Sequence, residues 1–155
     1  MSNEDYIREC IRLAAETIEK GNPPFASILV HNGEVIATGA NTVNTDGNLL
    51  RHGEMNLLEN AFRTVEVEKL KESTVYAIGE PCPMCASAMY WAGIPKLVYG
   101  ARRTALRDVR GFGLNMRPED IYATGTRPFE VVGPTIEDEV VTLYEKFYEK
   151  QGMAT

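Results

Sequence analysis

The chain has 155 residues, of which 44% are hydrophobic, and this size fits one compact domain covering residues 1–155. Acidic residues outnumber basic ones by 22 to 16, so a nucleic-acid partner, which needs clustered positive charge, is not expected. No run approaches the roughly 18 apolar residues of a membrane span, and the N-terminus carries no recognisable secretory signal. Three cysteines, one of them far from the other two, do not form a disulfide framework. We therefore expect a reduced, cytoplasmic protein with no membrane partner.

Apolar periodicity and turn residues predict a chain in which helices and strands alternate. The predicted elements are a helix at 3–20, strands at 25–31 and 34–41, a helix at 51–63, a strand at 74–79, a helix at 84–92, strands at 96–101 and 129–132, and a helix at 135–150. Asn32-Gly33 predicts a hairpin between the first two strands, because both residues tolerate positive φ angles. Residues 102–126 carry the weakest pattern, with one short helix at 118–123. The order predicts an α/β fold, a three-layer α/β/α sandwich around one mixed five-stranded sheet.

The same periodicity predicts which side chains are buried and how the last helix begins. Phe62 and Trp91 stand at helical spacing from apolar neighbours and are expected in the core. His31, beside the hairpin turn, is expected to be solvated. Thr135 and Asp138 resemble a capping box at the start of the last helix.

Two cysteines and one histidine form the most informative pattern in the sequence. Cys82 and Cys85 stand three residues apart at a predicted helix start, and His52 lies thirty residues upstream. Three such ligands are the number that a catalytic zinc site uses, because its fourth position is kept for a water whose pKa falls to roughly 7. Glu54 could move the protons of that water. Two helical positions are about 200° apart, so His52 and Glu54 can converge only at the first turn of their helix.

Other uses of the two cysteines must be considered. A lone C-x-x-C is also typical of thioredoxin-like redox pairs, but that interpretation leaves His52 and Glu54 without a role. A structural zinc site needs a fourth ligand, and neither His31 nor Cys10 is suitably placed. Cys10 is expected to be a buried thiol of the first helix.

His52-x-Glu54 followed by Pro81-Cys82-x-x-Cys85 resembles the signature of the cytidine and deoxycytidylate deaminase superfamily of zinc-dependent deaminases. The resemblance implies that His52, Cys82 and Cys85 bind Zn²⁺ and that Glu54 shuttles protons. It further implies substrate contacts from Asn41, the backbone of Gly53 and Phe25. Phe112, in a glycine-flanked loop, is expected to close over the substrate, and aromatic residues of the last helix could do so too, namely Tyr144, Phe147 and Tyr148.

The resemblance leaves the substrate open among several heterocycles. Residues 52–54 resemble fungal-type cytosine deaminases, whereas residues 80–85 resemble bacterial guanine deaminases. Those guanine deaminases carry acidic residues after the Gly-Phe of the late loop, where this chain has Gly113-Leu114, which counts against guanine. The expected partner is a small nucleobase-like molecule, and a homodimer is expected from the resemblance. The alternatives are a tRNA adenosine, nucleoside or nucleotide deaminase and, outside enzymes, an inactive deaminase-like binding or redox protein.

Two features of the last third of the chain bear on these alternatives. The last helix is rich in acidic residues, which repel phosphates and disfavour a large RNA substrate. A run of arginines before it is expected to be a solvated loop or a dimer contact, with phosphate binding for a nucleotide as the alternative. These residues are Arg102, Arg103, Arg107 and Arg110.

Overall fold

The computed structural model describes residues 1–151. The helices are α1 Asn3–Glu19, α2 Gly53–Thr64, α3 Val67–Leu70, α4 Pro83–Trp91, α5 Arg103–Arg110, α6 Pro118–Tyr122 and α7 Glu137–Lys150. The strands are β1 Ala26–His31, β2 Glu34–Ala40, β3 Thr74–Gly79, β4 Lys96–Ala101 and β5 Glu130–Val132. Among these residues, no helix has both the length and the apolarity that crossing a membrane requires.

The five strands form one mixed sheet in the order β2-β1-β3-β4-β5. β1 runs antiparallel to β2 and β3, while β3, β4 and β5 are parallel to one another. Asn32 and Gly33 adopt φ angles of 50° and 79° between β1 and β2, so the predicted hairpin is confirmed. The predicted mixed five-stranded sheet is confirmed as well.

Helices cover both faces of the sheet because the central strands are apolar on both sides. On one face Ile28, Ile78 and Val98 pack with α1 and α7. On the other face Leu29 and Leu97 pack with α2 and α4. This arrangement confirms the predicted three-layer α/β/α sandwich.

Helix α5 was not predicted, because it has few apolar residues and no cap of its own. Its N-cap residue, Arg102, makes no side-chain capping bond. Two distant carboxylates replace that cap: Glu80 Oε1 accepts the backbone N–H of Arg103 at 3.0 Å, and Glu137 Oε2 accepts that of Arg102 at 2.8 Å. Gly111 ends the helix in the left-handed conformation with φ 80°.

Four predictions about individual side chains were wrong. Trp91 is 83% exposed, because Met89, two positions earlier and on the opposite side of α4, takes the inward place. Phe62 is 56% exposed beside the buried Ala61. His31 was expected to be solvated, but its side chain is largely buried and bonded to Glu72. The predicted capping box of Thr135 and Asp138 does not form, because the N-cap residue of α7 is Ile136, at φ 47°.

Candidate metal centre

The starts of two helices meet at one edge of the sheet. His52 is the N-cap residue of α2 and Cys82 that of α4, and both have extended backbone conformations. Neither side chain caps its own helix, so both are available to a ligand between the helices. Cys85, in the first turn of α4, joins them. The prediction that His52 lies at a helix start is thereby confirmed.

Close packing of α2 on the hairpin puts its first turn at this edge. A Cβ atom on Gly39 of β2 would lie 2.2 Å from the backbone nitrogen of Leu57 and 2.4 Å from the carbonyl oxygen of Gly53. Only glycine permits this contact between strand and helix. The edge strand therefore fixes how deep α2 sits and where His52 points.

The three ligand atoms form a triangle that fits zinc. His52 Nδ1 lies 3.6 Å from each sulfur, and Cys82 Sγ lies 3.7 Å from Cys85 Sγ. A tetrahedral zinc with its usual bond lengths places two sulfurs about 3.8 Å apart and a sulfur and a nitrogen about 3.6 Å apart. Three protein ligands leave one position of the tetrahedron for water or substrate.

The electrostatics of this triangle also favour a cation. Hydrogen bonds from Cys85 and His52 lower the pKa of the Cys82 thiol to about 4. The Cys82 sulfur and burial raise the pKa of Cys85 well above its ordinary value, so the protein alone stabilises one thiolate rather than two. A divalent metal would let the second thiol ionise, since thiol ligands bind metals in the deprotonated form.

The carboxylate of Glu54 lies beside the triangle. Its Oε2 is 3.7 Å from Cys85 Sγ, and the residue is 8% exposed. Burial raises the pKa of the Glu54 carboxyl. His52 stands outside the helix and Glu54 in its first turn, so the 200° separation of a regular helix does not keep them apart. This carboxyl can accept and release a proton next to the metal position.

A cavity of about 610 Å³ opens above these residues. His52, Glu54 and Cys82 line it, as do the predicted contacts Asn41, Phe25 and Phe112 and the aromatic residues Phe147 and Tyr148. Gly53 is instead packed against β1, where an added Cβ would lie 3.1 Å from Ala26 Cα. Tyr144 is fully buried, with its ring 5.5 Å from that of Phe25.

The side chain of Asn41 is held in a fixed orientation. Its Oδ1 accepts the backbone N–H of Val43 at 2.9 Å, and its carbonyl oxygen accepts the hydroxyl of Thr17 at 2.6 Å. Within residues 1–151, Asn41 Nδ2 donates to no protein acceptor. Its two N–H groups are therefore available to a ligand in the cavity.

Residues 1–101 match the model of the cytidine and deoxycytidylate deaminase zinc-binding region. The chain belongs to this family. Membership confirms the predicted resemblance and the zinc cofactor, for which His52, Cys82 and Cys85 form a potential site.

The proteins that this chain resembles are named as deaminases of different substrates. It is 31% identical over 150 residues to a probable cytosine deaminase of Schizosaccharomyces pombe, covering 93% of this chain and 91% of that one. It is 32% identical over 146 residues to a tRNA-specific adenosine deaminase of Bacillus subtilis, covering 94% and 88%. A structure of guanine deaminase from Nitrosomonas europaea has a TM-score of 0.86 at 24% identity, covering 96% and 85%, and this likeness concerns the fold alone.

Sequence reasoning missed the position of Glu80 beside the cluster and the burial of Arg103. Glu80 is buried two residues before Cys82, and its Oε2 pairs with Arg117 at 3.3 Å. Arg103 was predicted to lie in a solvated loop or a dimer contact. The residue is 8% exposed, so the solvated loop is wrong for it, and its Nε donates to the carbonyl of Leu114 at 2.6 Å. A charged residue at the end of an apolar strand was the signal that could have identified Glu80. Arg103 lay in the segment without a readable pattern.

Proposed function

We propose that this protein is a zinc-dependent hydrolytic deaminase of an aminated nucleobase or a related small N-heterocycle, of the guanine or cytosine type. The observation that carries the proposal is the position of the buried Glu54 carboxyl, 3.7 Å from Cys85 Sγ and facing the same cavity as the metal ligands. A catalytic zinc site needs both an open coordination position and a group that moves protons beside it. A redox pair needs neither.

The reaction that suits these groups is addition of water followed by loss of ammonia. Zinc held by His52, Cys82 and Cys85 would lower the pKa of a bound water to roughly 7. Glu54 takes a proton from the attacking water and passes it to a ring nitrogen of the substrate. It then takes the proton of the added hydroxyl group and gives it to the departing amine. The carbon–nitrogen bond breaks, ammonia leaves, and a carbonyl remains on the ring.

Residues around the cavity are proposed to orient the heterocycle. Asn41 Nδ2 would donate to an acceptor on the ring, since its Oδ1 is already engaged by Val43. Phe25 and Phe112 would contact the faces of the ring, because both line the cavity with aromatic surface.

The Glu54→Gln variant tests this function. It should bind one zinc per chain but release ammonia at least about 100-fold more slowly, because an amide cannot shuttle protons. Ammonia release is measured on the zinc-loaded protein with cytosine, guanine, adenine, their nucleosides and nucleoside 5′-monophosphates, cytosine-5-carboxylate and amino-triazines. Glu68→Gln, whose side chain is 81% exposed on α3, is the matched control and should retain full activity. Normal turnover by Glu54→Gln with zinc retained would refute the proposal, and silence of the wild type on the whole panel would favour a binding or redox protein.

A tRNA adenosine deaminase is the second candidate, supported by the 32% identity to the Bacillus subtilis relative. The acidic residues of α7 that make no ion pair within residues 1–151, namely Asp138, Glu145 and Glu149, count against it because these groups repel RNA phosphates. Inosine formation in tRNA would favour this candidate over the small heterocycle. We also propose a homodimer in the cytoplasm, which analytical ultracentrifugation of the zinc-loaded protein would test.

A further inference from the structure

Two arginines converge on one point at the rim of the cavity. A Cβ atom on Gly113 would lie 3.2 Å from Arg110 Nη2 and 3.5 Å from Arg103 Nη2, so the two guanidinium groups flank the same point of the loop. Both side chains line the cavity that also contains His52 and Glu54. Gly113 has φ 142°, a conformation that keeps this point free of any side chain.

The positive charge of this pair is not neutralised by the protein. Arg102 and Arg117, which lie near the same loop, pair with Glu137 and Glu80. Within residues 1–151, by contrast, no carboxylate oxygen lies within ion-pair distance of either Arg103 or Arg110.

The contacts that the pair does make engage backbone carbonyls. Arg103 Nε donates to Leu114 O, its Nη1 approaches the carbonyl of Glu80 at 3.5 Å, and Arg110 Nε donates to Phe112 O at 3.0 Å. Carbonyl oxygens satisfy hydrogen bonds but leave the net charge in place. The residue Arg103 is 8% exposed, and burying a charged group without an ion-pair partner carries a desolvation cost that an anion would offset.

The geometry of Arg110 suits an anion that is attached to a planar ring. Its guanidinium lies 4.3 Å from the centroid of the Phe112 ring and 5.9 Å from that of Phe25. Stacking on Phe112 fixes the plane of the guanidinium, which orders its remaining N–H donors. Because the guanidinium lies beside both aromatic rings of the cavity wall, an anionic group of a ligand in the cavity can reach it.

We propose that the heterocycle which this site deaminates carries an anionic substituent, a phosphate or a carboxylate, bound between Arg103 and Arg110. This inference rests on the proposed function and adds a substrate class to it. The cavity, at about 610 Å³, falls within the range of sites that enclose ligands larger than a bare base. Two guanidinium groups on either side of one point can donate to different oxygens of one anion, which a neutral base does not offer.

Binding to the zinc-loaded Glu54→Gln variant, measured by isothermal titration calorimetry, separates this inference from turnover. The ligands are matched neutral and anionic forms: cytosine, cytosine-5-carboxylate, cytidine and cytidine 5′-monophosphate, and the corresponding guanine, guanosine and guanosine 5′-monophosphate. One anionic form should bind at least about tenfold more tightly than its neutral parent, and the phosphate and carboxylate forms distinguish the two anions. Equal binding of neutral and anionic forms, or no binding of any anionic form, would overturn the proposal.

Arginine variants assign the effect to these two residues. Arg110→Gln should remove most of the preference for the anionic form, and Arg103→Gln should do the same if its thermal unfolding midpoint shows that it folds. Arg107→Gln, on the same helix but outside the cavity lining, is the control and should keep the preference. An equal loss in Arg107→Gln would overturn the assignment, because it would indicate a long-range effect of charge.

Two further outcomes distinguish the proposals from each other. Anion-selective binding without ammonia release by the wild type would support the anion site and refute the deaminase function. Ammonia release from a neutral base, with no preference for its anionic form, would support the deaminase function and refute the anion site. Tighter binding of a single-stranded oligoribonucleotide than of any mononucleotide would overturn the small-molecule assignment.

Discussion

Replacing Glu80 with alanine should destabilise the protein by about 2–3 kcal/mol, because this one carboxylate supports α5 and the loop that covers the cavity. Its Oε1 accepts the backbone N–H of Arg103, and its side chain is 3% exposed. Leaving a buried N–H without an acceptor costs about 1–3 kcal/mol. The second bond, to Arg117, contributes only about 0.5 kcal/mol, since that arginine is 55% exposed and its attraction is screened.

Urea unfolding measures the loss of unfolding free energy in Glu80→Ala. The zinc concentration is kept the same for all variants, because bound metal adds to the stability of the native state. Glu80→Gln keeps an oxygen acceptor for the backbone N–H and should lose only about 1 kcal/mol. Arg117→Met removes the exposed ion pairs to Glu80 and Glu119 and should lose about 0.5–1 kcal/mol. Glu68→Gln, on the exposed surface of α3, should remain within about 0.5 kcal/mol of the wild type. If Glu80→Ala costs no more than Arg117→Met, the buried capping bond has no energetic role and the reasoning is refuted.

Three other measurements test the fold and the site. Gly39→Ala should lower the free energy of unfolding in urea by at least about 3 kcal/mol and should also lower the zinc content, because its Cβ would lie 2.2 Å from the backbone of α2. Unchanged stability would contradict this packing. In the native, zinc-free protein Cys10 should resist a thiol reagent because burial raises its pKa, whereas Cys82 should react because hydrogen bonds from Cys85 and His52 lower its pKa to about 4. Mass spectrometry identifies the modified cysteine. Rapid labelling of Cys10 would argue against its burial. Arg102→Met should lower the urea midpoint at pH 7, because a hydrogen bond from Arg102 lowers the pKa of Glu137 in the native state. That stabilisation is complete above the ordinary pKa of a glutamate and is lost as the pH falls through the lowered value, so a difference that persists at strongly acidic pH would count against the ion pair.

Local patterns in the sequence were sufficient for most of the fold. The strands Thr74–Gly79 and Lys96–Ala101 have the bounds that their apolar runs predicted, and the hairpin formed at Asn32-Gly33. These features depend on neighbouring residues, whose spacing and φ preferences can be read directly. The potential metal site at His52, Cys82 and Cys85 was predictable for a related reason. Two cysteines at a helix start, with a histidine at another, combine residue type with a location that the local pattern supplies.

Only the tertiary structure decided the part of the cavity wall that α5 and the loop after it form. Helix α5 begins where Glu80 and Glu137, 23 and 35 positions away, accept its first N–H groups, and no local signal contains that information. Long-range contacts to Glu80 also bury Arg103, which was expected in a solvated loop or a dimer contact. Ligand types are a property of the residues themselves, so the sequence determined the metal. Which cation stays unpaired depends on the positions of distant carboxylates, and these are set when the sheet and its helices come together.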